Sequence, residues 1–321
     1  MSFNIEYSGM SHRPEMRIKV AGLPKGEEFS KSELQSFLDR RRPGTADNVS
    51  ARNEKDEPVF ISGVTEKDDD TFVTDGNMFE AVIKNEDAKS EDYEYLKDTP
   101  RPGHSDYTAY VKYGSFEPGG GQFSGRMTAL TCILGGICLQ ALKRRGIRIR
   151  AVVAETGDIN AAKEKGDSVG GIICAEATGV PAGIGGPFDK GLESRLSSAL
   201  FAIPAVKGVE FGAGFSAAFM TGSESNDAFE IKNGEIRTVT NNCGGVLGGI
   251  STGMPITFRV AFKPTPSIGL PQQTVNLKTK TVQTISIKGR HDPCVVPTAV
   301  PVVEAVTAIT LFEVLKEENK L

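Results

Sequence analysis

The chain has 321 residues, 36 of them glycine, and a net charge of −4. That length buries a large core, since a chain of about 300 residues hides roughly three-quarters of its unfolded surface, and the acidic balance speaks against a nucleic-acid-binding surface. The five cysteines, Cys132, Cys138, Cys174, Cys243 and Cys294, are odd in number and form no CxxC pair. With no zinc-type Cys/His spacing, no signal peptide and no apolar run of about 18 residues, the expectation is a reduced cytoplasmic protein without a metal or a membrane span.

The first 20 residues predict two strands joined by a turn at 8–14 that carries His12. Ser30 and Glu33 have capping-box spacing, and Leu34, Phe37 and Leu38 follow at helical spacing. The helix stops in Arg40-Arg41-Arg42-Pro43-Gly44. These guanidiniums either complement the end of the helix dipole or clamp an anion. Strands are predicted at 58–62 and 79–83, and a charged, exposed loop at 84–99.

Residues 103–129 read as a turn holding His104, a short tyrosine-rich strand, and the run Gly119-Gly120-Gly121 opening into a helix. Such a run brings backbone N–H groups and a positive helix end toward an anion. Arg126 in the first turn is unfavourable for the dipole unless an anion faces it. The helix at 124–143 is apolar on nearly every side and so belongs to an inner layer.

Strands follow at 147–155 and 168–177, then a helix marked by Leu192, Leu196 and Leu200. Further strands are expected at 208–220 and 228–240, the second folded back at Asn233-Gly234, a strong hairpin signal. A glycine-rich segment at 241–253, a strand at 256–262, a hairpin at 275–287 and an apolar helix at 299–317 complete the chain. Strands and hairpins around a few long buried helices, without βαβ alternation, predict an α+β fold in one domain, 1–321. No strand leads into GxGxxG and there is no Walker lysine, which speaks against dinucleotide-binding and P-loop folds.

All three histidines lie in turns with Gly or Pro beside charges: Ser11-His12-Arg13-Pro14, Arg101-Pro102-Gly103-His104-Ser105-Asp106 and Arg290-His291-Asp292-Pro293. Histidine exchanges protons near neutrality, and arginine forks onto carboxylate or phosphate. The pattern points to proton transfer on an anionic small molecule.

The segments 101–108, 112–114, 119–126, 242–250, 263–267 and 289–294 resemble those of the chorismate synthase family, as do 39–44, 84–87, 210–215 and 301–305. The likeness covers essentially the whole chain. It implies long helices layered between antiparallel sheets, a homotetramer, and bound reduced FMN. It also implies conversion of 5-enolpyruvylshikimate 3-phosphate to chorismate and phosphate by 1,4-anti elimination. By this resemblance His12 protonates the leaving phosphate, His104 assists protonation of reduced flavin, and Asp292 helps take up the substrate proton. Gln122, Phe123, Ser124, Ala205, Gly248, Lys263, Pro264, Thr265, Pro266, Ser267 and Arg290 hold FMN. Arg41, Arg101 and Arg126 hold the substrate anions. The missing dinucleotide fingerprint favours an external flavin reductase over self-reduction with NADPH.

The chain departs from the family pattern at Met10, Arg13, Asp47 and Thr298, and is shorter between Gly157 and Lys165. An acid is lost at Met10, and arginines at Asp47 and Thr298. Arg13 is the candidate for a replacement substrate cation. These changes leave open a related FMN-dependent lyase on a less anionic substrate, or a flavin-binding paralogue of weak activity.

Overall fold

A computed structural model describes residues 3–11, 13–42, 55–85, 96–287 and 292–321. His12, Asp47, Arg290, His291 and the middle of the charged loop fall outside the described residues.

Strands β1 (Asn4–Gly9) and β2 (Glu15–Ala21) form the expected hairpin. β3 (Glu28–Ser30) leads into α1 (Lys31–Asp39), followed by β4 (Pro58–Ser62), β5 (Val64–Glu66), β6 (Thr71–Thr74) and β7 (Phe79–Lys84). Helix α2 (Asp106–Tyr113) precedes the glycine run, and α3 (Thr128–Arg144) follows it. Next come β8 (Arg148–Thr156), α4 (Ile159–Lys165), β9 (Gly171–Thr178), α5 (Leu192–Phe201) and β10 (Val206–Phe211). The short α6 (Gly222–Ser225), β11 (Phe229–Lys232), β12 (Glu235–Thr238), β13 (Val246–Leu247) and β14 (Ile250–Ser251) follow. The chain ends with β15 (Ile256–Phe262), β16 (Gln272–Val275), β17 (Val282–Ile285) and α7 (Val296–Glu317).

Two antiparallel four-stranded sheets, β1-β2-β7-β4 and β10-β15-β9-β8, enclose the long helices. α3 packs on α7; α3 faces β2 and β7, and α7 faces β8 and β9. The alternation in β2 turns Met16, Ile18 and Val20 inward, and that in β15 turns Ile256, Phe258, Val260 and Phe262 inward. One cluster of buried side chains runs from Met16 to Leu315. The α+β class with helices between antiparallel sheets is therefore observed.

The long helices are apolar all round because they lie between layers. Residues 125–144 and α7 each have the length and hydropathy of a membrane span, and most of each is buried inside the molecule. Where α3 meets α7, a Cβ on Gly135 would lie 2.3 Å from that of Ala305, so glycine permits the close approach.

Several local expectations differ. The tyrosine-rich stretch is helix α2, not a strand. Asp106 and Ala109 turn inward at i, i+3, and Gly114 ends the helix in the left-handed region at φ 78°. The tyrosines are exposed or half-exposed, so no packed sheet face called on their β preference. The strand expected at 208–220 ends at Phe211 and passes into a 3-10 turn, Gly214–Phe219. The capping box at α1 is half formed: Ser30 Oγ accepts from the Glu33 N–H at 3.0 Å, but the Glu33 carboxylate pairs with Lys143 at 2.8 Å. The short segment after Gly157 forms α4, capped by Asp158.

Candidate active site

The site is built where the turn before α2, the glycine run, the start of α3 and the loop after β15 converge. Gly119, Gly120 and Gly121 all have positive φ, at 80°, 96° and 51°. Such a succession is strained for other residues. A Cβ on Gly120 would lie 3.3 Å from Nε2 and Cε1 of His104, so the missing side chain lets the imidazole reach the loop.

His104 is the centre of a tight ionic cluster. Its Nδ1 lies 2.5 Å from Oδ1 of Asp106. Asp106 accepts from Arg101 through Nε at 2.7 Å, Nη2 at 2.9 Å and the backbone N–H at 3.0 Å. Arg101 Nη1 donates to Ser267 Oγ at 3.1 Å. Burial alone would raise the Asp106 carboxyl, but hydrogen bonds from Arg101 and His104 outweigh it and hold it well below the usual carboxylate range.

The loop after β15 closes against this turn. Lys263 Nζ donates to the Gly103 carbonyl, and Pro266 packs on Gly103. The Lys263 N–H donates to Ala205 O at 2.9 Å, where Ala205 has φ 73°. Thr265 Oγ1 donates to the backbone carbonyl of Asp292 at 2.7 Å. Burial, with Lys207 nearby, lowers the Lys263 ammonium below its usual value, so a bound anion would relieve it.

A second cluster opens α3. Asp56, 1% exposed, bridges two arginines. It accepts from Arg41 Nε at 3.0 Å and pairs with the Arg126 guanidinium. Arg41 Nη1 reaches Thr128 Oγ1 at 3.0 Å, and Arg126 Nε reaches Asn85 Oδ1 at 3.4 Å. Burial would raise the Asp56 carboxyl; the charges of Arg41 and Arg126 outweigh it and lower it. Ser124 joins the two clusters. Its Oγ accepts from the Arg126 N–H at 3.3 Å, and its Cβ lies beside Gly120.

Of the sequence-predicted residues, these contacts gather His104, Arg101, Ser124, Arg126, Arg41, Ala205, Lys263, Thr265, Pro266, Ser267 and the backbone of Asp292. Gln122 and Phe123 are exposed on the glycine run, and Pro264 on the loop. Gly248 lies in the β13–β14 turn, beyond the Ile256 end of β15, whereas Lys263 follows its other end. About 20 Å of strand separates them at the usual rise per residue. Arg13 pairs with Glu117 at 3.3 Å and its side chain is 61% exposed. Met10 Sδ lies near Gly121, and its carbonyl accepts from Asn85. Thr298 Oγ1 is bonded to Val295 O at 3.0 Å at the start of α7. The sequence reading missed Asp56 and Asn85. The signal for Asp56 was the arginine-rich run itself, since buried guanidiniums require a carboxylate partner.

A family model described as chorismate synthase matches residues 3–161 and 155–315. The chorismate synthase of Thermococcus gammatolerans is 44% identical over 95% of this chain and 93% of its own length. That of Methanosarcina barkeri is 42% identical over 97% and 93%. A crystal structure of chorismate synthase superimposes with a TM-score of 0.76 at 26% identity, covering 99% of this chain and 93% of the other. The chain belongs to the chorismate synthase family, and it is a lyase of the shikimate pathway that forms chorismate.

Proposed function

We propose that the two clusters are the halves of one active site, which holds FMN against 5-enolpyruvylshikimate 3-phosphate. The observation that carries this reading is the join at Ser124 between the His104 turn and the Arg41–Arg126 pair. The donor set fits the cofactor. Lys263 offers a cation, Ser124, Thr265 and Ser267 offer hydroxyls, and a Cβ on Gly125 would meet nothing within 4 Å. Gln122, Phe123, Ala205, Pro264, Pro266 and Arg290 complete the cradle. When bound, reduced FMN supplies an electron-rich ring that assists loss of the substrate proton.

The elimination breaks one C–H and one C–O bond, forms a new double bond and releases phosphate, with no net redox change. Arg41 and Arg126 bind the anionic groups of the substrate, their guanidiniums held apart by Asp56. Fixed cations can carry most of the catalysis, because charge develops on a leaving group that needs no covalent help. His12 delivers a proton to the departing phosphate, His104 exchanges a proton at Nε2, and Asp292 accepts one.

The protein works in the reduced cytoplasm, in keeping with five free thiols, and receives reduced flavin from an external reductase. Four copies assemble. The β11–β12 hairpin is exposed along nearly its whole length, with Phe229, Ile231 and Ile236 bare; Phe215 and Phe219 in the 3-10 turn are bare as well. A lone two-stranded hairpin is marginal in water, and a patch of this kind marks an interface. In an assembly the β13–β14 turn with Gly248 serves a neighbouring copy. The direct test is anaerobic incubation with 5-enolpyruvylshikimate 3-phosphate and chemically reduced FMN. Chorismate and phosphate in equal amounts are expected; no product at any substrate level refutes the reading.

A further inference from the structure

The Arg101 guanidinium has five N–H donors. Nε and Nη2 go to Asp106, Nη1 goes to Ser267, and Nη2 also lies 3.0 and 3.4 Å from the two ring nitrogens of His104. Arg101 is buried, at 6% exposure. It has little left to offer an incoming anion.

The contacts at His104 also select a tautomer. Oδ1 of Asp106 only accepts when ionised, and it is 2.5 Å from Nδ1. Two lone pairs would repel at that distance, so the proton must sit on Nδ1. Arg101 Nη2 lies near both ring nitrogens, which is the position of a group lying beside the ring, not of the dedicated partner of Nδ1. Nε2 is then the basic atom, and it faces the space that the missing Gly120 side chain leaves.

We infer that Asp106 is the positioning residue for His104, with Arg101 as its clamp: together they fix the Nδ1–H tautomer and aim Nε2 at the glycine run. This rests on the proton-handling role proposed for His104. It assigns Arg101 to the orientation of the imidazole instead of to substrate binding. The same anchoring ties the His104 turn to the cofactor loop, because Ser267 shares the Arg101 guanidinium and Lys263 holds Gly103.

The experiment has two arms. In the first, the full-length protein is labelled with 15N-histidine. It has three histidines, and His104→Gln identifies the resonance of His104. In spectra recorded at alkaline pH, a ring with its proton on Nδ1 and none on Nε2 is expected in the wild type, with the proton population redistributed in Asp106→Asn. A ring protonated at Nε2 in the wild type overturns the inference, whether or not the protein makes chorismate. In the second arm, Asp106→Asn lowers kcat by about 100-fold or more, as loss of an orienting carboxylate does elsewhere, with KM for the shikimate substrate within about threefold. Asp106→Glu recovers part of kcat. An unchanged kcat with a raised KM also overturns it. If the wild type forms no chorismate, the functional reading fails while the tautomer arm still decides this one.

Discussion

At the scale of the residue, the site depends on buried carboxylates that bind arginines. Asp56 separates Arg41 from Arg126. Removing its charge leaves two guanidiniums facing each other, and Asp56→Asn is expected to cost about 3–5 kcal/mol of stability, read from urea denaturation. Asp56 and Asp106 both have depressed carboxyl pKa values in the fold. Their stabilisation is therefore fully present above the unfolded value of about 3.9 and is lost as pH falls toward their folded values. An acid titration followed by circular dichroism should show Asp56→Asn losing part of that pH dependence; an unaltered acid limb contradicts it. Arg13, by contrast, makes an exposed pair with Glu117. Such pairs contribute about 0.2–1 kcal/mol. Arg13→Gly is expected to change the substrate KM by less than about fivefold, and a larger rise in a steady-state assay would restore Arg13 as a substrate cation.

At the scale of the element, α3 carries the site on its first turn and the core along its length. Gly135 and Gly136 lie in its buried middle. Alanine is a better helix former than glycine by about 1 kcal/mol, so propensity alone favours Gly135→Ala. The Cβ it adds would meet Ala305 of α7 at 2.3 Å, and overpacking of this kind costs about 1–3 kcal/mol. The expected result is a lower melting temperature; a higher one shows that α7 can move aside. Helix α2 is one element whose type the sequence reading missed, as it did the 3-10 turn at Gly214–Phe219. Burial in α2 is confined to Asp106 and Ala109, too few positions to show a helical period among six exposed or half-exposed neighbours.

At the scale of the whole molecule, the proposed assembly rests on the exposed hairpin. Light scattering is expected to give the mass of four chains. Ile231→Asp, placed on the bare hairpin face, should lower that mass without altering the far-ultraviolet spectrum. A monomeric wild type counters the assembly.

The sequence by itself determined the layered α+β class, the hairpins, the two buried helices and the family. Periodicity, the Asn-Gly turn and the long motifs are local signals, and local signals survive in one dimension. It also marked His104 and Arg126, because glycine runs and clustered charges stand out along the chain, and Lys263 through the family resemblance. Only the tertiary structure decided what those charges meet. That Asp56 joins Arg41 to Arg126 across separations of 15 and 70 residues, and that Arg101 spends its donors on Asp106 and Ser267, depends on how the layers pack. A guanidinium looks the same in sequence whether it awaits an anion or already holds a buried carboxylate; desolvation and geometry, which exist only in the folded molecule, separate the two.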